Sequence, residues 1–595
     1  MTNTTPSRFP TWLGFVQGAV LYALYKSHHD KLWSLEWSWL FNAVLMCAIF
    51  LPFVVYWGQD VLSRAARRWL VLGTGALIFG LGGYQGAMVF PLVEISRPQL
   101  ASPATFLGLA LFSFMLVPLV SGWARSMVPS TLGAWNYARL FEHAWRNAVI
   151  TVQAGVLTGL FWAVLSLGAQ LFHLIGVDWP KETIGKAWFA IPVTTLSIAL
   201  GLRGGLKRSA FTMTLRNHWL TLTVWLLPFT SLIGVAFVLT SLTGVGTLFE
   251  RGLSAFFLLW FAAFWVKFFN SAFQDGQEAP ALHGLLRRVL PLTALALLAL
   301  VALAAWALTL RIQQYGLTPD RIWGVLAVAV ALTYGIGYAW VWPRANETRW
   351  MPGIAPANIV ASLIMCVGIV LLLSPALDVN RLATTSQMAR LQSGQVQADD
   401  FDVRALARQE RAGHDALKAL QRQRGPDGKP GKLALRADDA LRNANRDRNR
   451  TLDEQEGLVA EFGKRIDSYP SGTPLPAGFV DFLKQDVLKW DAWQRSQSCF
   501  AQNQKRQRCA TLQIDLNRDG EIEVVLWRMP NEYQPVVYAR RDGQWQRIGY
   551  LMAGNDATPD SVRAELETGS YASQPMQWNT LRVGTTRYQI FEKAE

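Results

Sequence analysis

The sequence predicts a polytopic α-helical membrane protein of about eleven transmembrane helices, followed by a soluble helical segment and a small α+β domain. Three observations carry that prediction. Of 595 residues, 51% are hydrophobic and only 16% charged, against a charged fraction of about 25% in soluble domains. Apolar windows of about 20 residues, enough to cross roughly 30 Å of hydrocarbon, recur along residues 1–375. Beyond them charge returns every few residues: 1–375 hold 24 Lys and Arg with 12 Asp and Glu, whereas 376–595 hold 32 and 30. This composition excludes disorder. It also places most of the net charge of +14 in the membrane half, where it reports topology and not a nucleic-acid surface. The partner to expect is the lipid bilayer, with no nucleic acid.

The windows run Pro10 to Tyr25, Ser38 to Trp57, Trp69 to Phe90, Thr105 to Trp123, Ala148 to Ile175, Ala187 to Leu202, Trp219 to Leu242, Leu253 to Phe273, Val289 to Leu310, Ile322 to Trp342 and Ile354 to Leu373. The first and sixth are short, and the sixth contains Pro192 and Gly201, so each is open to a crossing, interfacial or re-entrant reading. Lys and Arg are retained in cytoplasmic loops. With a cytoplasmic N-terminus, those loops hold 16 of them, including Arg64, Arg67, Arg68, Arg139, Arg146, Arg287 and Arg288, and the opposite side holds 8. This bias orients the chain. Of 26 Trp, 21 precede residue 376, many at span ends such as Trp57, Trp69, Trp123 and Trp340, where amphipathic rings suit the headgroup layer. No small-residue cleavage site follows the first stretch, which reads as a retained helix.

The composition divides the chain into a transmembrane domain over 1–375, a charged helical connector over 376–475 and an α+β domain over 476–595. Helical patterning in the connector covers Phe401 to Arg424 and Lys432 to about Asp467, around a Gly425-Pro426-Asp427-Gly428 turn. Ser468 to Pro474 reads as a linker. His414, the only histidine of the tail, is expected to be solvated on a charged helix. A helix from Ala477 to Gln494 precedes β-rich runs at Thr511 to Ile514, Ile522 to Trp527, Val536 to Tyr538, Trp545 to Met552, Thr580 to Val583 and Arg587 to Phe591, with a helix near Asp560 to Leu566.

Eleven crossings from a cytoplasmic start put this tail outside the cytoplasm, and its cysteines agree. Cys499 and Cys509 bracket a polar loop and can close a disulfide in an oxidising compartment. Cys47 and Cys366 fall inside apolar spans and read as small hydrophobic residues. Asp515-Leu516-Asn517-Arg518-Asp519-Gly520-Glu521-Ile522-Glu523 places oxygens at positions 1, 3, 5 and 9 and glycine at 6, as in the first part of a calcium loop. Position 12 is Leu526, where a bidentate acid is required, and Asp-Gly is also a hairpin turn. Asp515, Asn517, Asp519 and Glu523 are therefore candidate calcium ligands, and no other cofactor is indicated.

Arg311, Tyr315 and Arg321, with Asp320, concentrate polar chemistry at one membrane face and are the candidate substrate contacts. Local chain chemistry offers a structural reading: Gly316 suits a left-handed helix end, Thr318 an N-cap, Pro319 the first helical position, and Asp320 the helix dipole. An apolar-Pro-x-Thr-x-Leu pattern recurs at Pro192, Pro228 and Pro291. Proline frees carbonyls that line polar paths in transporters, but the spans place Pro291 near a face and Pro228 near the middle, so no shared site is expected. No acidic residue before position 376 falls near a bilayer midplane, which argues against ion coupling.

Leu140-Phe141-Glu142-His143-Ala144-Trp145-Arg146-Asn147, Gln314-Tyr315-Gly316-Leu317-Thr318-Pro319-Asp320-Arg321 and Arg390-Leu391-Gln392-Ser393-Gly394 resemble segments of an uncharacterised family of bacterial multi-pass membrane proteins, a domain of unknown function. The Tyr-Gly-Leu-Thr-x-x-Arg segment is the most specific. The resemblance implies a bacterial inner-membrane location and brings no activity, so it assigns no functional residue.

No Ser-His-Asp, metal-ligand or phosphate-cradling pattern stands out, and the reading leans away from an enzyme. The expected protein is a non-enzymatic integral inner-membrane protein with a periplasmic tail, serving envelope maintenance, sensing or assembly with envelope protein partners that the sequence does not identify. The alternatives are a transporter or channel for a small or neutral substrate, using Gln17, Gln153 or Gln170, and a membrane enzyme acting on envelope or lipid-linked substrates.

Overall fold

The computed structural model describes residues 11–30, 32–33, 35–59, 62–89, 100–123, 135–243, 254–277, 280, 282–341, 350–424, 430–442, 466–489, 509–527, 535–541, 543–551, 565–573, 581–583 and 586–588. They divide into two units, 1–445 and 446–595.

The first unit is helical: α1 (Trp12–His29), α2 (Ser38–Trp57), α3 (Arg64–Ala87), α4 (Pro103–Trp123), α5 (Tyr137–Leu174), α6 (Trp179–Ile184), α7 (Ala187–Lys207), α8 (Ser209–Val224), α9 (Leu226–Thr243), α10 (Ala255–Phe273), α11 (Gly284–Val289), α12 (Thr293–Tyr315), α13 (Pro319–Val341) and α14 (Ile354–Leu372). Among the described residues, ten helical stretches are long and apolar enough to cross a membrane, with α8–α9 and α11–α12 each counting as one. The chain is thus a multi-pass membrane protein. α1 is not among the ten: its last turn carries Lys26, His28 and His29.

Buried clusters tie the helices together. Met46, Ile78, Leu109 and Ile369 join α2, α3, α4 and α14. Val54, Val117, Ile150 and Leu202 join α2, α4, α5 and α7. Trp265, Phe269, Leu297 and Tyr338 form the core of α10, α12 and α13. Apolar side chains on the outside follow the solvent they meet: Val156, Leu160, Val164, Leu167 and Leu171 of α5 are exposed, as suits a surface facing lipid. With 38 residues at about 1.5 Å each, α5 exceeds the bilayer core, and it extends through 137–147, which a 20-residue apolar window leaves outside the span.

The two short windows pack on each other. α1 lies against α7 through Gly14 and Gly18, a small-x-x-x-small spacing that lets backbones approach. A Cβ on Gly14 would meet Ala199 Cβ at 2.4 Å, and one on Gly18 would meet Pro192 Cα at 2.5 Å. On the other side, Gln17 Nε2 donates to the Ala48 carbonyl (3.0 Å) of α2. Pro52 lies inside α2 and has no N–H for Ala48 four residues back, so Gln17 fills that gap.

After the last span come α15 (Val379–Gln392), α16 (Val403–Ala407), α17 (Glu410–Gln421) and α18, over 432–442. Their core is Phe401, Leu406, Leu417, Leu420, Ala437 and Leu441. This cap belongs to the same unit as the bundle. Val379 and Ala383 pack with Ile322 and Leu372, and the Arg411 backbone and Nη1 donate to the last carbonyls of α3, Met88 (3.0 Å) and Ala87 (3.2 Å). The turn at Gly425 lies outside the described residues.

His414 corrects the solvated expectation: it is 5% exposed, because it shares the inward face of α17 with Gly413, Leu417 and Leu420. Burial, then Lys418, holds its imidazole below the usual range, with Asp415 opposing. A depressed folded pKa means that the folded cap favours neutral histidine. Its contribution is present above the unfolded value of about 6.5 and is lost as pH falls toward the folded one. Hydrogen exchange across α17, corrected for intrinsic rate, is expected to be faster at about pH 5.5 than at about pH 7.5, and His414→Gln to remove most of that difference.

The second unit is a five-stranded sheet in the order β1 (Ile466–Tyr469), β2 (Cys509–Ile514), β3 (Glu523–Trp527), β4 (Val536–Arg541) and β5 (Gln544–Tyr550), with β1 parallel to β2 and the rest antiparallel. Helix α19 (Phe479–Lys489) lies between β1 and β2 in sequence and packs Phe479 and Leu483 against Val524, Leu526, Tyr538 and Trp545. The opposite face holds Tyr469, Leu512, Val525 and Val537 with Leu566. Both faces are covered, which is why β3 carries the continuous apolar run Val524-Val525-Leu526-Trp527. β6 (Leu581–Val583) and β7 (Thr586–Tyr588) form a separate hairpin. β1 begins before, and runs into, the segment that reads as a linker: Ile466-Asp467-Ser468-Tyr469 has no apolar run, and its pairing with β2 is distant in sequence.

Candidate functional site

The turn between α12 and α13 is built as the local chemistry predicts. Gly316 has φ +74° and donates its N–H to Ile312, Thr318 Oγ1 accepts from the Arg321 N–H (3.4 Å), and Pro319 and Asp320 open α13. Arg311 and Arg321 both approach the Tyr315 ring, with Cζ 5.8 and 5.5 Å from its centroid. Arg321 Nη1 donates to the Gly316 carbonyl (2.6 Å). Tyr315 is 54% exposed.

Three further residues at this site come from α15 and were not apparent from the sequence. Ser386 Oγ accepts from the Leu317 N–H (3.0 Å), Gln387 Nε2 donates to the Tyr315 and Leu317 carbonyls (both 2.9 Å), and Arg390 donates to the Gln313 (3.1 Å) and Gln314 (2.7 Å) carbonyls. Arg390 was visible only as the start of a separate segment. Backbone carbonyls carry no sequence signature, so the contact between the two segments could not be read in advance.

The segment 140–147 serves the opposite end of the bundle. Asn136 caps α5 through the Arg139 N–H (3.2 Å), and Arg146 Nη2 donates to the Trp57 carbonyl at the end of α2 (2.8 Å). At that end, too, Asn358 Nδ2 donates to Tyr137 Oη (2.7 Å) and to Asn270 Oδ1 (2.8 Å), while Tyr338 Oη donates to Asn270 Oδ1 (2.8 Å). This quartet joins α5, α10, α13 and α14. Single amides within apolar runs were its available signal, since polar groups in spans find protein partners.

The proline pattern is corrected in part. Thr293 Oγ1 lies 3.3 Å from Ser231 Oγ, which also accepts from Trp265 Nε1 (3.0 Å). The Pro228 and Pro291 segments therefore meet at one depth. Both segments lie where the helices break, between α8 and α9 and at the 3-10 turn Leu290–Leu292. Gln153 Oε1 faces Thr212 (3.5 Å), and Gln170 is exposed.

In the second unit, Asp515 Oδ1 and Oδ2 accept the N–H groups of Arg518 (2.6 Å) and Gly520 (3.0 Å). Asn517 and Asp519 bond to each other and to neighbouring N–H groups, and Glu523 Oε2 accepts from the Leu516 N–H (2.7 Å). The oxygens thus organise the turn itself. Among the described residues, no three His, Cys, Asp or Glu side chains are placed to share a metal ion. Burial pushes the Glu523 carboxyl above its usual range. Cys509 is fully buried at the start of β2, and Cys499 lies outside the described residues.

A family model described as "Domain of unknown function (DUF4153)" matches residues 16–423. That match takes in the spans and runs past them to the end of α17. No curated protein and no solved structure matches the chain.

Proposed function

The chain belongs to the DUF4153 family, and from that premise we propose that it is a non-enzymatic inner-membrane protein serving envelope maintenance, sensing or assembly. The supporting observation is the docking of the cap: α15 and α17 bond to the ends of α3 and α12 and to the turn before α13. A bundle whose helix ends are closed by its own cap suits a scaffold that presents a surface. Arg311, Tyr315 and Arg321 are the ligand contacts in this reading. Calcium enters it only through Asp515, Asn517, Asp519 and Glu523, and Glu523 would have to exchange the Leu516 N–H for the ion.

With α1 as an eleventh crossing and a cytoplasmic N-terminus, the cap and the sheet domain are periplasmic. A C-terminal alkaline phosphatase fusion is then expected to be active, and an unfolded-exported fluorescent protein at the same position dark. The reverse pair of results removes α1 from the spans. In the same cells Cys499 and Cys509 are expected to resist thiol labelling until reduced, as a disulfide pair does, and labelling without reductant rejects the bridge.

The broken helices meeting at Ser231, Thr293 and Trp265 favour a second reading, a transporter or channel for a small neutral substrate. Solute flux through proteoliposomes that disappears in Ser231→Leu would support it over the scaffold.

A further inference from the structure

We propose that the α12–α13 turn and α15 together bind a phosphate ester, held by Arg311 and Arg321 beside the Tyr315 ring and by Arg390 at the adjoining end of α12. The proposal rests on the ligand reading of Arg311, Tyr315 and Arg321 above, adds a third cation from the cap, and specifies the chemistry of the ligand.

Two guanidinium groups lie over the Tyr315 ring, and a third is bonded to the carbonyls of the two residues before it. Arg311 and Arg321 flank the same aromatic ring within 6 Å of its centroid. Arg390 lies against the turn from the other element: a Cβ on Gly316 would meet its Cδ at 2.6 Å. None of the three has a carboxylate within 4.0 Å among the described residues.

Helix capping accounts for only part of this charge. Arg321 and Arg390 each donate to carbonyls at the end of α12, where the helix dipole presents about half a negative charge. Three cations exceed that need, and Asp320 supplies one negative charge in the vicinity. Arg311 is exposed and is held over the ring without a carbonyl partner among the described residues. Like charges gathered this closely repel one another and favour an anion that bridges them. Arginine forks bind phosphate oxygens in pairs. The turn joins the ends of two spanning helices, the level at which lipid phosphates lie, and its exposed tyrosine is a side chain suited to that layer. The same chemistry is offered by an anionic lipid headgroup and by a soluble phosphate ester.

The test uses the full-length protein in neutral detergent, with binding followed by native mass spectrometry and by thermal shift. The probes are phosphatidylglycerol, phosphatidylcholine, glycerol 3-phosphate and oleate. Phosphatidylglycerol is expected to bind more tightly than phosphatidylcholine, to weaken as salt rises, and to lose about tenfold in affinity in Arg311→Gln, with Arg311→Lys recovering part of the loss. Arg311 is the residue to change because it caps nothing and its loss spares the turn. Binding of glycerol 3-phosphate with the same Arg311 dependence supports the proposal with a soluble ligand, and binding of the lipid alone supports it with a headgroup. Arg311-dependent binding of oleate without either phosphate probe overturns the phosphate assignment and leaves the ligand site standing. Equal binding of both phospholipids, or indifference of every probe to Arg311, overturns the proposal, and indifference of every probe removes the ligand site as well.

Discussion

Gly18→Leu is expected to lower stability by about 3 kcal/mol, the upper range for overpacking, and to reduce the accumulation of the protein in the membrane. The obstacle is backbone: a Cβ at position 18 would sit 2.5 Å from Pro192 Cα and 2.4 Å from Thr195 Oγ1. Neither α1 nor α7 can yield without losing its other partner. α1 is held to α2 through Gln17 and Ala48, and α7 packs on α5 through Ala199, Leu202, Ile150 and Ala154. Gln17→Leu, which removes the amide and leaves the Ala48 carbonyl without this donor, is expected to cost about 1 kcal/mol, in the range of hydrogen bonds between membrane helices. Thermal unfolding of the detergent-solubilised protein reads both. A Gly18→Leu protein melting within about 2 °C of the parent would mean that α1 does not pack along α7.

The contrast between α1 and its neighbours indicates what the sequence could disclose. Hydropathy over 20 residues is a local property, so the ten long apolar helices were legible as spans, although α5 and α8 begin about ten residues before their windows. α1 is placed by three residues that hydropathy ranks as unremarkable, Gly14, Gln17 and Gly18, and its role depends on a proline in another helix. The helical extension at 137–147 was hidden for the opposite reason: Arg139, Glu142 and Arg146 make it polar, and an apolar window stops where they begin. At the α12–α13 turn, the cap, dipole and glycine positions were legible because they are properties of adjacent residues. The closure of that turn by Ser386, Gln387 and Arg390 was not, because three side chains reach backbone atoms some 70 residues away. His414 was misplaced because a charged sequence can still carry one buried face, here Gly413, His414, Leu417 and Leu420.

Asn358→Leu is expected to destabilise the bundle by about 2 kcal/mol, the cost of leaving buried polar partners unsatisfied. Asn358 supplies both hydrogens that bind Tyr137 Oη and Asn270 Oδ1. Its Oδ1 lies 3.2 Å from Tyr338 Oη, whose single proton has the nearer acceptor in Asn270 Oδ1 at 2.8 Å. Leucine, branched alike, would therefore leave Tyr137 without this donor while Asn270 kept Tyr338. Adding Asn270→Leu removes the acceptor that would remain half-satisfied, so the double variant is expected to fall short of the summed single effects by roughly 0.5–1.5 kcal/mol. Additivity within about 0.3 kcal/mol would mean that the quartet does not act as one unit. The same variants separate the two functional readings. A scaffold needs the quartet only as a clamp on α5, α10, α13 and α14, so loss of stability and loss of function should run together. If Asn358→Leu abolished solute flux while melting like the parent, the amides would be lining a path, and the transporter reading would replace the scaffold.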